Sequence, residues 1–110
     1  NVTASAVNQY LEEGDSLIVD ARPSTSFDYA HIPGAVSIPA DGEVPPNVLA
    51  QALQKARTIV YCDGPGCDAS QRVAEKLRMA GVPSIIVFAG GFQDWTNSGL
   101  PSEGRREKNK

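Results

Sequence analysis

The chain has 110 residues, 41% hydrophobic and 21% charged, with ten glycines, eight prolines and two cysteines, the composition of one small globular domain and not of a disordered, collagenous or repeat protein. The net charge of −3 is unevenly placed: residues 1–103 hold six basic against twelve acidic side chains, a net −6, while 104–110 gather Arg105, Arg106, Lys108 and Lys110. An acidic body argues against nucleic acid as a partner, no stretch approaches the ~20 apolar residues of a membrane helix, and two cysteines with one histidine are too few for a disulfide scaffold or a closed zinc site.

Ala4, Val7 and Leu11 recur at helical spacing, with Thr3 or Ser5 as the N-cap and Gly14 as the stop, which predicts a first helix. Leu17-Ile18-Val19 then reads as a short buried strand that ends at Asp20 and is broken by Arg22-Pro23. Ser24 to Tyr29 has room for little more than one helical turn, and His31-Ile32-Pro33-Gly34 turns the chain into an extended Ala35 to Ile38, closed by Pro39. Pro45-Pro46 opens a helix whose stripe is Val48, Leu49, Ala52, Leu53 and Ala56. Thr58 to Tyr61 is the next strand and delivers Cys62 at its C-terminal end. Asp63-Gly64-Pro65-Gly66-Cys67-Asp68 is irregular, and a helix follows with Val73, Ala74 and Leu77 on one face, up to Gly81. Ser84 to Phe88 is the most apolar strand, Gly90-Gly91 breaks it, and Phe92 to Asn97 forms a last short helix, with Phe92 and Trp95 closing the core. Strands separated by helices predict a single α/β domain over residues 1–103, with a central, mainly parallel sheet of about five short strands flanked by helices on both faces. Residues 104–110 are expected to form a basic, disordered tail.

In open sheets of this kind ligands sit beyond the carboxyl ends of the strands, where Cys62 falls. A glycine-rich loop that leads into a helix can turn backbone N–H groups toward an anion, and the helix N-terminus adds a partial positive charge. The same field favours a thiolate, so Cys62 is the candidate nucleophile and the loop from Asp63 through Gly64, Pro65, Gly66 and Cys67 to Asp68 the candidate anion cradle. Arg22 and Arg72 are candidate substrate-binding cations, the alternatives being a partner for Asp20 and a solvent-facing helix residue. His31 reads as structural, and Asp20 as an ion-pairing or capping residue. A Cys-x5-Arg phosphatase loop is excluded because position 68 is Asp, and Cys62 and Cys67 are spaced more widely than a Cys-x-x-Cys redox pair.

Together these residues resemble the rhodanese-like family of sulfurtransferase domains. Leu17 to Arg22 (LIVDAR) is similar to the family's first strand with its Asp-x-Arg. Phe27 to Ala35 (FDYAHIPGA) with Ile38-Pro39 is similar to its first signature, with Ala30 where Gly is usual. Val60-Tyr61-Cys62 matches the strand and active cysteine, and Ala89 to Pro101 (AGGFQDWTNSGLP) the C-terminal signature. The resemblance implies that Cys62 takes sulfane sulfur from a donor, holds it as a persulfide and passes it to a thiophilic acceptor, with no metal or organic cofactor. Two departures stand out: Ala69 occupies the place of the usual loop Arg, and Ser70 follows Cys62 by eight positions, about two more than is usual. With Asp63 and Asp68 beside the site, the expected donor is a low-molecular-weight or protein persulfide in place of thiosulfate, and the acceptor a thiol. Cys67 is the candidate resolving thiol, a role reversal with Cys62 being the alternative. An inactive binding or regulatory module, or a Cys62/Cys67 thiol–disulfide redox module, is the competing functional reading. The expected setting is cytoplasmic, with a periplasmic or membrane-tethered parent as the alternative, and the domain is compatible with being part of a larger protein.

Overall fold

Parallel strands need crossovers, and here helices supply every one of them. The computed structural model describes residues 2–104; apart from Gly104, the expected basic tail lies outside the described residues. The elements run α1 (Ala4–Glu13), β1 (Ser16–Asp20), α2 (Ser24–Tyr29), β2 (Val36–Ser37), α3 (Pro46–Gln54), β3 (Arg57–Tyr61), α4 (Ala69–Met79), β4 (Ile85–Phe88) and α5 (Gly91–Asn97). The sheet is wholly parallel, in the order β2-β1-β3-β4. It has four strands against the expected count of about five. Pro33 and Pro39 bracket β2, which pairs over only two residues, and the chain beyond α5 adds one isolated antiparallel bridge, His31 to Glu103, in place of a strand.

Strand alternation divides the core in two. Leu17, Val19, Val60 and Cys62 face one side and pack with Val48 and Ala52 of α3 and Val73, Ala74 and Leu77 of α4. Ile18, Ile59, Tyr61 and Phe88 face the other and pack with Ala4 and Val7 of α1 and Trp95 of α5. Each buried Val, Leu, Ile or Phe among them contributes about 1.5–3 kcal/mol, so both faces must be covered before the sheet is stable. The local signals for the covering helices hold. Thr3 Oγ1 accepts the Ala6 N–H at 3.1 Å, Gly14 takes the left-handed conformation that ends α1, and Pro46 sits in the first turn of α3.

The order β2-β1-β3-β4 places a topological switch point between β1, whose crossover leads to β2 on one side, and β3, whose crossover leads to β4 on the other. Ala21-Arg22 and Cys62 are the residues that leave β1 and β3 at that point.

Candidate active site

Cys62 is the first residue beyond β3, 2% exposed, with its side chain on the α3/α4 side of the sheet. The loop behind it is shaped from both ends. Phe92 and Gln93, in the first turn of α5, donate their N–H groups to the carbonyls of Cys62 and Asp63, both at 2.8 Å. A trans peptide sets C=O and N–H antiparallel, so these two bonds turn the Asp63 and Gly64 N–H groups away from α5. Farther along, Cys67 N–H donates to Gly64 O at 3.2 Å, and Gly66 at φ +87° supplies the left-handed step that folds the loop back. Among the described residues the N–H groups of Asp63, Gly64, Gly66, Asp68, Ala69 and Ser70 have no protein acceptor. This loop leads directly into the eleven-residue helix α4.

Cys67 is half-buried and is paired with Cys62 as a disulfide, the Cα atoms 6.6 Å apart. That separation is within the range a bridge spans without backbone movement. Cys62 Sγ also lies 3.5 Å from the Cys67 carbonyl oxygen and 3.6 Å from Ser70 Oγ in the first turn of α4. Ser70 is buried, and its hydroxyl stands where it can donate to a Cys62 thiolate once the pair is reduced. In the sequence Ser70 stands out only as a displaced match; its reach to Cys62 depends on how the longer loop folds.

Arg22 is engaged elsewhere. Its guanidinium grips Asp20 bidentately, with Nε at 3.1 Å from both carboxylate oxygens and NH2 at 2.8 Å from Oδ2, while NH2 donates to Ala30 O at 2.6 Å. It lies over the Phe92 ring at 4.3 Å, and its link to the loop is a 3.8 Å approach of NH1 to the exposed Asp63 carboxylate. Burial opposes the charge on Arg22, but the hydrogen bonds and charge of Asp20, with smaller pulls from Tyr61 and Asp63, raise its pKa above the ordinary value. Tyr61, the residue before Cys62, completes this network: its hydroxyl donates to Asp20 Oδ2 at 2.6 Å and accepts the Ile32 N–H at 3.1 Å. No motif spacing in the sequence links Tyr61 to Asp20. His31 stacks on Phe27, places Nδ1 2.7 Å from Phe27 O and approaches Glu103 through Nε2, the structural setting expected of it.

Above the carboxyl ends of β1 and β2 opens a cleft of about 420 Å³, lined by Ala21, Pro23, Ala40, Asp41, Ala69 and Arg72 among others. Ala21, Ala40, Ala69, Cys62 and Cys67 pack in one cluster, so the cleft and the cysteine pair adjoin. Arg72 lines this cleft and is half-exposed, paired with Asp41 at 3.1 Å. Lys76, one turn farther along α4, donates to the carbonyls of Ala40 and Gly42 at 2.6 and 2.7 Å and fixes the wall of the cleft to the helix. None of the described helices is long and apolar enough to cross a membrane.

A model of the rhodanese-like domain matches residues 3–98. An uncharacterized protein of Synechocystis sp. is 38% identical over 104 residues, covering 93% of this chain and 56% of that protein. YrkF of Bacillus subtilis, named as a candidate sulfur carrier protein, is 31% identical over 96 residues, covering 86% of this chain and 50% of that one. The chain thus spans about half the length of the curated relatives it matches. Among solved structures, the BH2092 protein of Bacillus halodurans superposes with a TM-score of 0.84 at 23% identity, covering 96% of this chain and 77% of that chain, a likeness of fold.

Proposed function

This chain belongs to the rhodanese-like domain family, and from that premise we propose that Cys62 accepts sulfane sulfur, carries it as a persulfide and hands it to a thiol acceptor. The observation that carries the reading is the base of the loop after β3, where Cys62 Sγ lies 3.6 Å from Ser70 Oγ in the first turn of α4 and the loop amides have no protein acceptor among the described residues. A thiolate there attacks the sulfane sulfur of the donor, and the bond between that sulfur and the donor's leaving thiol breaks. The resulting Cys62 persulfide is an anion, and the loop N–H groups without a protein acceptor are the donors available to stabilise it. The likeness to the Bacillus subtilis YrkF protein supports the same chemistry.

Persulfide on the donor side is favoured over thiosulfate. Asp63 and Asp68 are exposed on the loop itself, Ala69 stands where a loop Arg would neutralise a dianion, and Arg22 is committed to Asp20. The buried position of Cys62 also requires the loop to open its Cys67 flank before a donor reaches the sulfur, so the protein must be reduced first.

The test is intact-protein mass spectrometry of reduced protein mixed with a low-molecular-weight persulfide, followed by removal of the donor. Cys67→Ser is expected to gain one sulfur atom, located on Cys62 by peptide mapping, and Cys62→Ala to gain none. Sulfur retained equally by Cys62→Ala would overturn the assignment.

A further inference from the structure

The cysteine pair raises a question that a simple sulfur carrier leaves open, because a carrier needs one thiol and this loop brings a second into bonding reach of the first. Resting on the persulfide reading above, we propose that Cys67 gives the site a further activity, release of the carried sulfur as hydrosulfide with formation of the Cys62–Cys67 disulfide.

The step balances within the chain. The Cys67 thiol yields its proton to the outer sulfur of the Cys62 persulfide and attacks the inner sulfur, Cys62 Sγ. The bond between Sγ and the outer sulfur breaks, and hydrosulfide leaves with the electron pair. The Cys67 thiol is oxidised to disulfide sulfur and the departing sulfur is reduced. The disulfide in the structure is the product state of this step, and a dithiol reductant returns it to two thiols for the next donor.

Three features of the loop favour this route. The Gly64 to Cys67 turn and the left-handed Gly66 hold Cys67 against the same core cluster as Cys62, so the attack is intramolecular and its effective concentration high. Attack falls on the inner sulfur because the fold already allows Cys62 Sγ and Cys67 Sγ to bond, whereas the outer sulfur of a persulfide lies one bond farther on. And Cys67, half-exposed beside a Cys62 that is 2% exposed, presents the sulfur that an external dithiol attacks in the reducing half of the cycle. The site would then serve donors in the persulfide class and deliver hydrosulfide at the expense of a dithiol.

The experiment is a single turnover without reductant. Reduced wild-type protein and Cys67→Ser are each mixed with glutathione persulfide and rapidly desalted; hydrosulfide is trapped with monobromobimane, and sulfur and disulfide are mapped by mass spectrometry. Wild type is expected to release one hydrosulfide per chain and to end as the Cys62–Cys67 disulfide, and dithiothreitol to restore a second turnover. Cys67→Ser, a near-isosteric change at a half-exposed position, is expected to hold its persulfide and release at least tenfold less. Wild type that keeps a stable persulfide on Cys62, as Cys67→Ser does, overturns the release step while leaving the carrier reading in place, whereas sulfur carried on Cys67 overturns both. Absence of persulfide from Cys67→Ser overturns both.

Discussion

Gly64, within the loop after β3, and Gly91, packed against it, carry different loads. A Cβ on Gly91 would meet Cys62 O at 2.5 Å, Asp63 C at 2.8 Å and Gly64 N at 2.8 Å, all backbone, and Gly91 is at φ +64°. A Cβ on Gly64 would meet chiefly Gln93 Oε1, at 2.6 Å, the far end of a flexible and exposed side chain. Gly91→Ala must therefore displace the loop or α5 and adopt a left-handed backbone as well, which sets its cost at roughly 2–5 kcal/mol. Gly64→Ala needs the end of the Gln93 side chain to swing away and its Cβ, at 3.3 Å, to give by a few tenths of an ångström, and should cost about 1 kcal/mol. Urea titration of both variants with persulfide loading measured alongside is the check: Gly91→Ala is expected to lose stability and loading together, and Gly64→Ala to keep both. Equal costs would mean that α5 does not set the loop. From the sequence, Gly64 and Gly66 are the glycines expected to permit close anion approach, and Gly91 is legible only as a strand breaker. Gly66 does make the turn, but the tightest approach is of backbone to backbone at Gly91, a contact between elements about 30 residues apart that no local pattern encodes.

At the level of elements, β1 and β3 are joined by more than their ladder. Parallel register sets Asp20 beside Tyr61 on the α1/α5 face, where Tyr61 donates to a carboxylate that Arg22 already grips. The Tyr61 pKa is raised, first by burial and then by the charge and hydrogen bond of Asp20, against lesser opposing pulls from the Ile32 N–H and Arg22. An acid whose folded pKa lies above its unfolded one contributes stability that is whole below the unfolded value, about 10 for a phenol, and is lost as pH rises through it toward the higher folded value. The unfolded chain releases the proton first. Denaturation midpoints should accordingly fall more steeply above about pH 10 in wild type than in Tyr61→Phe, which is less stable near neutrality by about 1–3 kcal/mol because it leaves Asp20 and the Ile32 N–H short of a partner. Parallel alkaline slopes in the two proteins would refute this account. The elements themselves are largely legible in the sequence, since periodicity and punctuation by Gly and Pro mark the five helices and four strands of the described residues near their observed bounds. Asp20-x-Arg22 is legible too, being local. Tyr61 is not, because its partner stands 41 positions away and only the register brings them together.

Charge is the property of the whole molecule that bears on the proposed donors. The molecule measures 39 × 26 × 26 Å, comparable to the Debye length of about 30 Å at 0.01 M salt and well beyond the ~10 Å at 0.1 M. At low salt a donor approaching Cys62 therefore feels the summed charge of the chain, −3 overall, as well as the local charges. Locally the balance is also acidic. Asp41, Asp63 and Asp68 are exposed around the cleft and loop, whereas Arg72 is paired with Asp41 and Arg22 is buried on Asp20. This body charge was readable from composition, but whether it reaches the site depended on where the two arginines spend their charge, which is a matter of tertiary contacts. Steering by such a field changes association rates and leaves the chemistry at the sulfur alone. Loading of reduced Cys67→Ser from thiosulfate, a dianion, should thus be slow at low ionic strength and rise roughly 3–10-fold as salt is raised, while loading from the persulfide of a cationic aminothiol should fall. Asp63→Asn with Asp68→Asn should raise the low-salt thiosulfate rate and flatten its salt dependence, since these are the acidic groups on the loop itself. Stopped-flow quenching with mass detection measures all of these rates. Thiosulfate loading that falls with salt would mean that the loop amides and the α4 N-terminus outweigh the acids at the distance where the donor commits, and the preference for persulfide donors would then have to rest on shape.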